Sequence, residues 1–113
     1  MKKLEIVIKT EKLEDLKKIL MDCHANGVMI SNIMGYGNQK GYNKTIYRGH
    51  ETIVNLLPKV KVETVVSAEI AETIIDKVLK EISTGNYGDG KIFIYDADDV
   101  VRIRTGERGK DAL

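Results

Sequence analysis

The sequence contains a strand–helix–strand pattern twice, and this repeat narrows the folds open to a chain of 113 residues. In both copies the first strand alternates apolar and polar residues, and the helix carries apolar residues three and four apart. Strands of a doubly wound parallel sheet are apolar on both sides, so this one-sided polarity argues against that fold. The pattern predicts one α+β domain, 1–113, of the ferredoxin-like (split βαβ) class: a four-stranded antiparallel sheet with two helices on one face. We expect strands at about 3–9, 28–34, 59–66 and 91–96, and helices at about 12–26 and 68–83.

Signals for the helix ends are present in both copies. Thr10 and Ser67 stand where a side-chain oxygen can cap the first helical turn, and acidic residues follow each of them. Gly27 follows the first helix, at a position where a glycine commonly ends one. The sequence therefore predicts two hydroxyl N-caps and a glycine stop.

Residues 35–58, which join the two repeats, show neither a strand period nor a helix period. They contain glycines and basic or amide side chains, but also tyrosines and aliphatic residues that a flexible linker lacks. A long connection of this kind in a compact domain is typically a binding loop, and we expect the rest of the chain to support it. Near the end, residues 100–104 predict a short extra strand and residues 105–113 a polar tail.

Composition argues against several functional classes. The formal net charge is +1, which gives no general case for binding nucleic acid or an anionic membrane. The single cysteine, Cys23, excludes an internal disulfide, and the first residues resemble neither a signal peptide nor a membrane span, so we expect a cytoplasmic protein. His24 and His50 lack ligands at metal spacing, and no nucleophile–base pair is evident, so an enzyme is not expected.

Two short stretches carry residues suited to binding anions. In residues 88–91, GDGK, two glycines let backbone N–H groups approach an anion and Lys91 adds a positive charge; the alternative is an ordinary turn. Arg102 and Arg104 stand two residues apart, on one face of an extended segment, where they suit phosphate oxygens. The alternative for this pair is a solvated strand edge.

Five segments occur together in an order and spacing that resemble one protein family. They are GYGNQKG, IYRGHE, LPKVKVETVV, TGNYGDGKIFIYD and RIRTGE. The chain resembles the PII nitrogen-regulatory signal-transduction proteins over essentially its whole length. The resemblance implies a homotrimer with a nucleotide site in each cleft between subunits, where ATP and ADP compete. It also implies that Mg²⁺ with ATP creates a site for 2-oxoglutarate, and that these ligands change the conformation of loop 35–58.

Residue roles follow from the matching motifs as implications of the resemblance. Nucleotide contacts would be Met29, Gly37, Asn38, Glu63, Val65, Gly88, Asp89, Gly90, Lys91, Arg102, Ile103 and Arg104. Contacts with 2-oxoglutarate would be Gln39, Lys40, Gly41 and Lys59, and Gln39 would also be the Mg²⁺ ligand. Loop contacts with partner proteins would include Tyr42, Tyr47, Arg48 and Thr52.

The sequence departs from the family pattern at several of these positions. Thr52 stands where most bacterial members have the modified loop tyrosine, and His50 stands where cyanobacterial members have a phosphorylated serine. Asn38 replaces an arginine that usually reaches the terminal phosphate, and Met29 replaces a threonine that usually touches adenine. We therefore expect regulation by ligands without the usual covalent modification.

Targets implied by the resemblance are an ammonium transporter, glutamine synthetase, a transcription regulator or nitrogenase. Contact with a membrane would be indirect, through a transporter, and nucleic acid is not an expected partner. Two alternatives stay open at this point: a nitrogenase-regulating member of the family, and a PII-like trimer that senses another ligand.

Overall fold

In the computed structural model, which describes residues 1–36, 44–47, 50–53 and 56–113, four strands form one antiparallel sheet. Between residues 36 and 55 it describes only the backbone of the strands. In chain order the elements are β1 (Lys2–Ile8), α1 (Leu13–Asp22), β2 (Val28–Tyr36), β3 (Lys44–Tyr47), β4 (His50–Ile53), β5 (Leu56–Val66), α2 (Ala68–Glu81) and β6 (Lys91–Asp96). The sheet order is β2-β5-β1-β6, so β2 and β6 are its edges.

Both helices pack against the same face of this sheet. Alternate residues of β1 and β5 are buried on that face, and the apolar stripes of α1 and α2 close over them. The predicted ferredoxin-like arrangement is therefore confirmed. The buried core consists of Leu4, Ile6, Ile8, Leu16, Ile19, Leu20, Cys23, Val60, Val62, Val66, Ala71, Ile74, Val78 and Ile82.

One predicted helix cap is present and the other is not. The Ser67 hydroxyl accepts a hydrogen bond from the backbone N–H of Ile70 at 3.3 Å, which satisfies a free donor at the start of α2. The Thr10 prediction is wrong, because this residue begins a short 3₁₀ helix, Thr10–Lys12, that leads into α1 without a side-chain cap. The chain here enters the helix through a tighter turn instead of a capping side chain.

The first helix ends earlier than predicted, and Gly27 is not its stop. His24 adopts a left-handed backbone with φ 60 and donates its N–H to the carbonyl of Met21 at 3.0 Å. The N–H of Ala25 bonds to the carbonyl of Leu20 at 2.9 Å, completing a Schellman-type ending. This ending uses His24 where a glycine is more usual, which is why the glycine signal misplaced it.

Residues 35–58 are not a structureless loop, and this prediction is corrected. β3 and β4 pair as a separate antiparallel two-stranded sheet, with Lys44 opposite Ile53 and Tyr47 opposite His50. β2 also continues to Tyr36, which pairs with Leu56 at the start of β5. Strands of four residues are too short to show a clear period of two, although their β-branched and aromatic residues favour extended backbone.

The C-terminal segment forms a compact turn instead of the predicted strand and tail. Val101 makes an isolated antiparallel bridge with Arg108, and the carboxylate of Asp99 accepts a hydrogen bond from the Arg108 side chain at 2.8 Å. A second short 3₁₀ helix, Gly109–Ala112, follows. Gly106 and Gly109 have positive φ angles of 74 and 65, which let the chain turn back on itself.

Across residues 1–36, 44–47, 50–53 and 56–113, no helix is long and apolar enough to cross a membrane.

Candidate functional site

Charged side chains of the candidate site lie on the sheet face opposite the helices. The register places Lys61 and Lys91 on either side of Val7, and it places Glu63 on one side of Glu5. Directly opposed residues in a sheet project to the same face, so lysines lie in one row and carboxylates in the next. The lysine row is nearer to the end of the sheet at which β2 ends and β5 begins.

Lys59 connects this end of the sheet to the turn that precedes β6. Its ammonium nitrogen donates a hydrogen bond to the carbonyl oxygen of Gly88 at 2.7 Å, and the residue is only 8% exposed. Burial lowers the pKa of the Lys59 ammonium, and the positive charge of Lys9 lowers it further. A Cβ on Gly35 would lie 2.9 Å from Cγ of Lys59, so the glycine leaves room for this side chain.

The turn before β6 is held by the carboxylate of Asp89. It accepts hydrogen bonds from the Thr84 backbone N–H at 2.7 Å, the Thr84 hydroxyl at 2.6 Å and the Gly85 N–H at 3.0 Å. The hydrogen bond from the Thr84 hydroxyl is the main reason that the pKa of Asp89 is lowered. Asp89 therefore braces the turn from inside.

Two glycines in this turn occupy backbone conformations that other residues rarely adopt. Gly88 has φ 93 and Gly90 has φ 105. A Cβ on Gly90 would lie 1.8 Å from the carbonyl oxygen of Val7, so the turn presses directly against β1. A glycine turn followed by the exposed Lys91 offers backbone N–H groups and a positive charge to an anion.

Ion pairs and a tyrosine hydroxyl fix the carboxylates of the acidic row, Glu5 and Glu63. Glu63 lies 3.7 Å from the ammonium groups of both Lys3 and Lys61, and the Tyr95 hydroxyl donates to Glu5 at 3.1 Å. Hydrogen bonding with Glu63, and then with Tyr95, lowers the pKa of Glu5. The arrangement fixes the orientation of Glu63 on an otherwise open face.

The residues predicted to contact adenine lie next to the acidic row. Met29 pairs with Glu63 across β2 and β5 and is 61% exposed, and Val65 lies on the same face, two residues beyond Glu63. The structure thus brings Met29, Glu63 and Val65 together. An exposed apolar side chain can pack against a heterocycle, and the oriented carboxylate beside it can accept a hydrogen bond from an amino group on that heterocycle.

Arginines of the C-terminal segment lie apart from this arrangement. Residues 103–105 form a turn, so the prediction that Arg102 and Arg104 share a face of an extended segment is wrong. The Arg102 guanidinium instead bonds to the Glu107 carboxylate at 3.0 Å and to the Leu113 carbonyl at 3.2 Å. β6 begins at Lys91, and the C-terminal segment begins after the other end of this strand. The described hydrogen bonds of the segment join residues 99–113 to one another.

Comparison with known proteins identifies the family. A family model described as nitrogen regulatory protein P-II matches residues 1–107. The chain belongs to the P-II nitrogen regulatory protein family. It is 45% identical over 113 residues to nitrogen regulatory protein P-II of Pasteurella multocida (strain Pm70), and 45% identical over 113 residues to that of Rhizobium meliloti (strain 1021). It is 42% identical over 113 residues to nitrogen regulatory protein P-II 1 of Escherichia coli (strain K12). Each match spans 100% of both chains.

For this P-II chain, several predicted loop residues lie outside what the structure describes. These are Gly37, Asn38, Gln39, Lys40, Gly41, Tyr42 and Arg48. The backbones of Tyr47 and Thr52 belong to β3 and β4. The assignments of these residues stay predictions.

Sequence reasoning missed four charged or polar residues of the P-II site region. They are Lys9, Lys61, Glu5 and Tyr95, which surround the predicted contacts. Lys61 could have been found, because it alternates with Lys59 on a predicted strand. Glu5 and Tyr95 meet only through the register of β1 with β6, which the sequence does not specify.

Proposed function

We propose that this chain is a regulatory P-II protein that binds ATP or ADP and, with Mg²⁺ and ATP, 2-oxoglutarate. One observation carries the proposal. The end of β2, the buried ammonium of Lys59 and the glycine turn before Lys91 all lie at the same end of the sheet. A polyphosphate and a dicarboxylate bound at that end would both lie next to the segment that joins β2 to β5.

Phosphates of the nucleotide would bind the turn of Gly88, Asp89, Gly90 and Lys91. Backbone N–H groups and one ammonium suit phosphate oxygens, and the two positive-φ glycines allow close approach. The adenine would lie towards Glu63 and Met29, where a held carboxylate can accept from its amino group. Gly37 and Asn38 would contact the nucleotide from the segment that follows β2.

The nucleotide site would be completed by a second subunit of a homotrimer. Arg102, Ile103 and Arg104 follow the far end of β6 from the glycine turn, so a neighbouring copy is better placed to supply them. Both edge strands also expose large apolar residues, Met29 at 61% and Phe93 at 43% among them. Exposed apolar edges of this kind favour self-association.

The dicarboxylate would bind beside the phosphates. Lys59 would pair with one carboxylate, Lys40 and Gly41 would donate backbone N–H groups, and Gln39 would hold Mg²⁺ through its amide oxygen. Magnesium prefers oxygen ligands and commonly keeps one or two protein ligands besides phosphates, which fits this donor set. Because the phosphates fix the metal, binding of 2-oxoglutarate and ATP would be cooperative.

The output of the protein would be a change in residues 35–58, including Tyr42, Tyr47, Arg48 and Thr52, which would bind target proteins. An ammonium transporter, glutamine synthetase or a nitrogen regulator is the expected target class. The chain would act as one cytoplasmic domain and as a sensor, without catalysis. Thr52 and His50 stand where other members of the family have residues that are covalently modified, so we expect ligands alone to control this protein.

Replacing Lys91 with alanine tests the phosphate site. The variant Lys91→Ala should lose ATP binding in calorimetric titration while keeping its assembly state by light scattering. Lys80→Ala, in the last turn of α2, is the matched control and should bind ATP as the parent does. Unchanged ATP affinity in Lys91→Ala would remove the phosphate-site assignment.

A further inference from the structure

Asn26 and Gly27 form the one Asn–Gly pair in the sequence. They lie in the short connection between α1 and β2, outside helix and strand, and both residues are exposed. The Asn26 side chain makes none of the described hydrogen bonds, and the side-chain bond described for Gly27 uses its carbonyl oxygen, not its N–H. A carboxamide and a backbone nitrogen that no described group holds therefore follow one another in the chain.

These two groups can react with each other. The nitrogen of Gly27 attacks Cγ of Asn26, the Cγ–Nδ2 bond breaks, and ammonia leaves with the proton of the Gly27 N–H. The product is a cyclic succinimide. Water then opens either of its C–N bonds, which gives aspartate or isoaspartate at residue 26. The reaction consumes water alone and needs no enzyme.

The surroundings of Gly27 favour this attack. Glycine has no side chain to shield its nitrogen, and a Cβ built on Gly27 would meet nothing within 4 Å, so the fold leaves open space beside it. Asn86 is also exposed and lies outside helix and strand, but Tyr87 follows it. Asn26 is therefore better suited to the reaction than Asn86.

We propose that Asn26 is a site of spontaneous deamidation in the folded protein. The product changes the chain in two ways just before β2. It places a carboxylate beyond the C-terminal end of α1, where the helix dipole disfavours negative charge. Isoaspartate also lengthens the backbone by a methylene group directly before Gly27. This chemistry is an ageing reaction, separate from the ligand sensing proposed above.

The added methylene group would act on a buried hydrogen bond. Thr64, which is 1% exposed, donates its hydroxyl to the carbonyl oxygen of Gly27 at 2.6 Å and so ties the chain before β2 to β5. Displacing that carbonyl would leave a buried hydroxyl without its partner, which destabilises the fold. Val28 pairs with Thr64, and Met29 pairs with Glu63. We therefore expect deamidation to loosen the first residues of β2.

Timed incubation of the full chain tests the site. The folded protein is kept at physiological temperature in mildly alkaline buffer and digested at acidic pH, and tandem mass spectrometry follows each asparagine over time. Asn26 should convert well before Asn86. An Asn26 that stays intact, or that converts no faster than Asn86, would overturn the proposal.

Gly27→Ala is the matched variant. Gly27 is not among the glycines with positive φ, and an added Cβ displaces no neighbour, so the variant should keep the fold. Its methyl group shields the attacking nitrogen, so conversion at Asn26 should slow several-fold while Asn86 keeps the rate of the parent protein. Equal rates at Asn26 in parent and variant would exclude attack by this nitrogen.

Incubation in urea separates the role of the fold from that of the dipeptide. Because no described group holds the carboxamide or the nitrogen, Asn26 should react in the folded protein at a rate close to that in the unfolded chain. Conversion confined to the urea sample would show that the fold protects the pair, and would contradict the proposal.

Thermal melting tests the structural consequence. The isoaspartate form, separated by chromatography, should melt at a lower temperature than Asn26→Asp, which carries the same charge without the added methylene group. Equal melting temperatures would contradict the proposed loss of the hydrogen bond between Thr64 and Gly27. None of these measurements uses a ligand, so their failure is distinguishable from failure of the nucleotide site.

Discussion

The ammonium nitrogen of Lys59 donates a hydrogen bond to the backbone carbonyl oxygen of Gly88 at 2.7 Å. Lys59 belongs to β5, whose first residues end the 35–58 segment, whereas Gly88 belongs to the turn that leads into β6. On the other side, the stem of Lys59 packs against Gly35, near the end of β2. One side chain therefore contacts both the base of the segment that joins β2 to β5 and the turn proposed for phosphates.

Lys59→Met tests the role of this ammonium. Methionine keeps an apolar stem in a site that is 8% exposed but cannot pair with a carboxylate. We expect 2-oxoglutarate affinity to fall about 10- to 100-fold, as for loss of a charged hydrogen bond, and ATP affinity to change much less. Titration calorimetry measures both, with Lys80→Met as the control; retained 2-oxoglutarate affinity would contradict the assignment.

Gly90→Ala tests how closely the glycine turn presses on β1. The added Cβ would meet the Val7 carbonyl oxygen at 1.8 Å, at a φ of 105. Gly85→Ala is the matched control, because its φ of 80 is also positive but a Cβ there meets nothing within 4 Å. We expect Gly85→Ala to lower the free energy of unfolding by about 1–2 kcal/mol from backbone strain alone, and Gly90→Ala by clearly more. Equal losses in urea unfolding would show that the close approach carries no cost.

Asp89 should make the folded protein less stable as the pH falls. Its pKa is lowered in the folded protein, chiefly by the Thr84 hydroxyl. The stabilisation is therefore fully present above the unfolded pKa and is lost as pH falls through the lower folded pKa. We expect the difference in melting temperature between the parent protein and Asp89→Asn to shrink between about pH 6 and about pH 3.

Among the residues whose side chains the structure describes, the other acids with lowered pKa values are Glu5, Asp96 and Asp99, and both proteins contain them. They lower acid stability equally, so the comparison isolates Asp89. A melting-temperature difference that stays constant across this range would show that the Asp89 carboxylate does not brace the turn.

The sheet and both helices could be predicted from the sequence because their apolar periods extend over many residues. β5 alternates across its buried half, and α2 carries an unbroken stripe with Ser67 at its start. β3 and β4 could not be predicted, because four residues do not establish a period. The end of α1 was misplaced because His24 adopts the left-handed conformation that glycine usually supplies.

The candidate site was predictable only where a motif lies within one stretch of chain. The GDGK turn is visible as consecutive residues, and both of its glycines have positive φ angles in the structure. Its role as an anion site stays a prediction. The contact of Lys59 with Gly88 spans 29 residues of sequence and depends on the register of three strands. The turn at residues 103–105 was missed because the alternation of VVRIR suggests a strand, whereas Arg102 bonds locally to Glu107, five residues further along the chain.

Calorimetric titration of 2-oxoglutarate into the purified protein with Mg²⁺, once with ATP and once with ADP, is the decisive test of the proposed ligand sensor. We predict binding in the ATP sample and none in the ADP sample, because the terminal phosphate would help to fix the metal proposed to hold the dicarboxylate. Absence of 2-oxoglutarate binding in both samples, with nucleotide still bound, would contradict it.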